Sequence, residues 1–116
     1  MKLAMAIISI VLALMVLASA MGKLRKDPKV VALMNHVGVK PPQIKILAAL
    51  EILGGIGLLV GFASKIIGVL SAVGIALYFA SAIVAHVRKK DKLKEFVTPP
   101  LVLAIAIVTT LLQLKR

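Results

Sequence analysis

Glu51, Tyr78 and His86 are the residues of this chain whose types and settings point to chemistry. Glu51 stands inside an apolar run, 44–62, seven residues from its start. In a membrane-spanning helix that is about 10 Å deep at about 1.5 Å per residue. A charge there costs on the order of 3 kcal/mol. Such a carboxyl must face a helix-bundle interior or a polar cavity, where it reads as a proton carrier or a ligand contact. The structural alternative is a protonated glutamate hydrogen-bonded between helices. Tyr78 lies at a similar depth in the next apolar run, 66–87, and His86 lies at that run's end. Together the three form a candidate chain opening toward one face of the membrane. Lys23 or Arg88 would have to reach down to pair with Glu51. The alternative for His86 is an interfacial side chain among basic neighbours.

Other chemistry has no support. No HxxxH pair, P-loop, nucleophile elbow or paired carboxylates occur. His36, His86 and Glu51 differ too much in expected depth for a shared metal, so no metal is expected. Cysteine is absent, which excludes a disulfide, a thiolate metal site or a thiol relay within the chain. Gly54 shares a face with Glu51, Gly57 and Gly61 form a GxxxG pair, and Gly74 lies on the stripe of Tyr78. These four are expected to let helices pack closely.

The elements that must carry these residues are apolar. Of 116 residues 61% are hydrophobic, and mean hydropathy is +1.09. Soluble domains are nearer half apolar, so the chain reads as an integral membrane protein. Four runs are long enough to span: 3–21, 44–62, 66–87 and 97–114. Strand alternation is missing, which sets a barrel aside. Short connections predict an up-down four-helix bundle in one all-α domain. Between the first two spans, Asp27 and Pro28 signal a helix start and Gly38 a helix stop. Val30, Leu33, Met34 and Val37 give the segment 28–37 one apolar stripe, as in an interfacial amphipathic helix. Ala18-Ser19-Ala20 with Lys23 to Asp27 echoes Ala80-Ser81-Ala82 with Val87 to Asp91, a faint internal repeat. Span one also has a signal-peptide reading through Ala18-Ser19-Ala20. Against it, the apolar run is long and basic residues follow at once.

The net charge of +11 is mainly a topology signal. Six basic residues fall in the first loop and its flanks, five in the 88–96 loop and four on the other side. The positive-inside rule then puts both loops inside and both termini outside. Anionic headgroups would contribute about 1 kcal/mol per nearby basic residue. Nucleic acid is not an expected partner, because one tyrosine and three phenylalanines make no stacking platform.

These residues resemble the DoxX-like family of small bacterial four-helix membrane proteins. The resemblance rests on Ala18-Ser19-Ala20-Met21-Gly22-Lys23-Leu24, Asn35-His36-Val37-Gly38-Val39, Ala49-Leu50-Glu51-Ile52 and Ala85-His86-Val87-Arg88. It covers nearly the whole chain in order. It implies a bacterial cytoplasmic membrane location, with Glu51, His86 and Lys23 as family-like polar positions. Some relatives are membrane subunits of thiosulfate:quinone oxidoreductase, and others are associated with oxidative-stress or quinone-detoxifying systems. The implied role is an accessory subunit of a quinone-linked or oxidative-stress redox system, not catalytic on its own. A quinone is the implied ligand, and redox-protein subunits or further copies of the chain are the implied partners. Two alternatives stand beside it: a membrane scaffold, and a small proton-coupled transporter with Glu51 as its carboxylate. At 3% aromatic the chain is poorly equipped to hold a flat cationic drug.

Overall fold

The computed structural model describes residues 2–91 and 98–116. Among them are five helices and no strand: α1 (Lys2–Leu24), α2 (Pro28–His36), α3 (Pro41–Val60), α4 (Lys65–Arg88) and α5 (Thr98–Leu114). α1, α3 and α4 are long and apolar enough to cross a membrane, while α5 is apolar and shorter. The expected start of the fourth span at Val97, and most of the 88–96 loop, lie outside the described residues.

Local signals explain the boundaries. Asp27 accepts a hydrogen bond from the Lys29 N–H at 2.9 Å and Pro28 occupies the first turn of α2. Gly38 takes φ +86°, and the Val39 N–H donates back to the Met34 carbonyl. This left-handed stop suits glycine. α3 begins at Pro41, three residues before the apolar run, because proline fits a first turn whose N–H groups have no helical partner. It stops at Val60, and Ser64 caps α4 through the Ile67 N–H.

The faint repeat has a structural counterpart. α1 and α4 both end in a lysine with positive φ, Lys26 and Lys90, followed by an aspartate. The Asp27 N–H bonds the Gly22 carbonyl and the Asp91 N–H bonds the His86 carbonyl, both at 3.1 Å. Two copies of the same helix stop therefore present Asp27 to α2 and Asp91 to whatever lies beside α4.

Four long helices close a ring. α1 packs along α3 and, more lightly, α5; α4 packs along α5 and α3. Each buries one stripe at helical spacing, such as Leu12, Val16 and Ala20 of α1 or Ile44, Ala48, Glu51 and Leu58 of α3. The core joins Leu12, Val16, Leu58, Ile75, Phe79 and Val102. Gln113 of α5 bonds Ser9 of α1, and Arg116 donates to the Gly61 and Phe62 carbonyls. The C-terminal end thus meets the α3–α4 turn at one end of the ring, with α2 at the other. The outward faces carry Leu3, Leu14, Ile46, Leu53, Ile66, Leu70 and Leu77, all exposed. Apolar surface on every long helix far exceeds what a monomer in water tolerates.

The hairpin glycines set the spacing of α3 and α4. A Cβ on Gly61 would stand 2.5 Å from the Gly68 backbone, and one on Gly57 would collide with the Ser71 side chain. One on Gly54 would come within 2.9 Å of Ile75. Gly74 departs from the expected packing role: a Cβ there meets nothing within 4 Å. It lines open space instead, because α3 and α4 flank a cavity at that level.

Candidate functional site

The cavity has a volume of about 780 Å³ and is walled by α1, α2, α3, α4 and the first turn of α5. That is within the usual range of small-molecule sites, roughly 300–1,000 Å³. Leu50 and Leu53 of α3 and Leu70 and Leu77 of α4 line it and are also exposed. It therefore opens sideways between α3 and α4. α2 closes one end with Leu33, Met34 and Val37. The stripe expected to lie in an interface thus covers the cavity.

Glu51, Tyr78 and His86 all line this one cavity. Glu51 is buried and carries a charged partner rather than a neutral one. Lys23 Nζ donates to its Oε1 at 2.6 Å, with the two side chains 7% and 1% exposed. Lys23 follows Val16 by two helical turns on the buried stripe of α1, so its stem runs inward. Its ammonium also donates to Ser19 Oγ at 3.0 Å and lies 5.9 Å from the centre of the Tyr78 ring. That is cation–π range. Phe79 sets the Tyr78 ring edge-on at 5.0 Å. The Tyr78 hydroxyl interacts with the Glu51 carboxylate, yet no donor completes a hydrogen bond to Glu51 Oε2. A buried acceptor without a donor is costly.

His86 is buried at the α2 end rather than exposed at an interface. Its Nδ1–H donates to Asp91 Oδ2 at 2.8 Å, and the His36 Nε2–H donates to Asp91 Oδ1 at 2.7 Å. The ring nitrogens must donate here, since an ionised carboxylate only accepts. These bonds, from His86 first and His36 second, hold the Asp91 carboxyl below the usual aspartate range. Each carboxylate oxygen serves one histidine, and among the described residues no set of three His, Asp or Glu converges on a metal position.

Sequence reasoning did not find Asp91, Ser19 or the pairing of Ser9 with Gln113. Gln113 reads as a weak signal near a span end, but it is fully buried between helices. Asp91 had one usable signal, its place in the repeat opposite the capping Asp27.

No curated protein and no solved structure matches the chain. The model of the DoxX-like family matches residues 7–109. With that match spanning most of its length, the chain belongs to the DoxX-like family.

Proposed function

We propose that this is an integral membrane protein, a four-helix bundle that holds a small amphiphile in the cavity between α3 and α4 as an accessory subunit of a quinone-linked redox system. The observation that carries the binding reading is the buried Lys23–Glu51 pair on the wall of an otherwise apolar cavity that opens toward the lipid side. Pockets of this kind use apolar walls for affinity and a few polar groups for orientation. The family supports the redox setting through what is known of its other members. The ion pair argues against the transporter alternative, because Glu51 is already neutralised by Lys23 and offers a cationic drug no free charge.

In this reading the charged α2 end faces the cytoplasm. A C-terminal alkaline phosphatase fusion is then active outside, and a fluorescent C-terminal fusion in the cytoplasm would reverse the orientation.

A photoreactive alkyl-hydroquinone, kept reduced, tests the binding reading. Labelling should concentrate on the α3 and α4 residues that line the cavity, fall when unlabelled decylhydroquinone competes, and drop in Gly74→Leu. Gly74 is the right position because its side chain would fill open space without striking a neighbour. Labels spread over the outward faces and indifferent to competitor would overturn the reading.

A further inference from the structure

We infer that the cavity prefers a neutral amphiphile whose head carries a hydrogen-bond-donating hydroxyl, such as a phenol or hydroquinone, and that Glu51 Oε2 accepts from it. This rests on the reading of the cavity as a binding site and goes beyond it in naming the head-group chemistry.

Lys23 and Glu51 compensate one another at 2.6 Å with both side chains buried. An ionic ligand would bring an uncompensated charge into an apolar cavity, which costs far more than a neutral head. A neutral ligand leaves the balance intact.

The Lys23 ammonium has three protons. Two are directed to Ser19 Oγ and Glu51 Oε1, and its remaining face lies over the Tyr78 ring. Glu51 Oε1 is engaged by Lys23. Glu51 Oε2 is the buried side-chain polar atom, among the described residues, that lacks a hydrogen bond. The unmet hydrogen-bonding position beside Tyr78 is therefore an acceptor. A head group with only carbonyl or ether oxygens would set its lone pairs against those of Oε2. A hydroxyl would satisfy Oε2 and carry its own oxygen toward Tyr78.

The remaining surface fixes the body of the ligand. Leu50, Leu53, Leu70 and Leu77 line the opening and suit an alkyl chain that trails into lipid. Gly74 leaves room beside Tyr78 for a ring.

The test uses 4-decylphenol and its methyl ether, which differ only in the donor, together with decylbenzoquinone. Binding is measured on the full chain in lipid nanodiscs, with empty nanodiscs subtracted for partitioning. The phenol should bind at least about tenfold more tightly than the ether, the lower end of what a hydrogen bond to a charged group contributes. The quinone should fall with the ether. In Glu51→Gln the phenol-to-ether ratio should shrink toward one. If that variant does not fold, the three-ligand comparison on the unmodified protein still decides. Equal binding of phenol, ether and quinone would overturn the head-group inference and leave the binding site standing. Tighter binding of the quinone would overturn it and make Lys23 and Tyr78 the selecting donors. Binding of none of the three, with Gly74→Leu indistinguishable from the unmodified protein, would remove both the inference and the site it rests on.

Discussion

At the scale of single residues, the Lys23–Glu51 pair is a buried ion pair between α1 and α3. Each group alone would be an uncompensated charge in an apolar interior. Removing one partner of a buried pair costs about 3–5 kcal/mol, whereas replacing both with apolar groups is often neutral or better. Lys23→Met should therefore lower the thermal midpoint in detergent by an amount matching about 3 kcal/mol. The double variant Lys23→Met/Glu51→Leu should recover most of that loss. A double variant no more stable than Lys23→Met would show that the pair is not what the fold depends on. Glu51 was legible as an interior residue because a carboxylate in an apolar run has nowhere else to go. Its partner was not. Lys23 counts equally well as a topology charge, and helix-to-helix axial offset does not follow from loop length. The α3 start at Pro41 also puts Glu51 about 15 Å from the helix start rather than about 10 Å.

At the scale of elements, α3 and α4 are tight where Gly57 and Gly61 meet Ser71 and Gly68, and apart where Gly74 lines the cavity. Gly61→Ala drives a methyl group into backbone, so about 1–3 kcal/mol of destabilisation is expected. Gly74→Ala meets open space and replaces a helical glycine, so it should be neutral or stabilising by up to about 1 kcal/mol. Thermal unfolding of the two variants side by side checks this, and equal losses would contradict the assigned spacing. The sequence marked Gly57, Gly61 and Gly74 alike as packing positions. Only the facing helix distinguishes contact from cavity.

α2 is the second element whose role depends on a partner. Its cap, proline and terminal glycine were legible because those signals are local. The latch formed by the His36–Asp91 and His86–Asp91 hydrogen bonds was not, since His36 and Asp91 lie 55 residues apart. The depressed Asp91 carboxyl gives the latch a defined pH sense. Its contribution is present above the ordinary aspartate range and is lost as pH falls through the lowered folded value. The chain has no cysteine, so spin labels at introduced cysteines on Ala32 and Lys89 report α2 cleanly. Their distance distribution should be narrow at neutral pH and broaden in Asp91→Asn. An unchanged distribution in that variant would show that other contacts hold α2.

At the scale of the whole molecule, the ring of helices combines an apolar exterior, a side opening and one internal ion pair. The all-α character and the helix sequence were legible from apolar run lengths, since a helix satisfies its own backbone wherever lipid surrounds it. The cavity was not, because it comes from the divergence of two helices past their glycine contact. The proposed function depends on whether that cavity holds a ligand. The most direct measurement is native mass spectrometry of the protein gently extracted from its own membrane, beside Gly74→Leu. A small neutral amphiphile bound one to one, and missing from the variant, is the expected result. Bare protein in both samples, or the same adduct in both, would contradict the account and leave the Lys23–Glu51 pair a structural device.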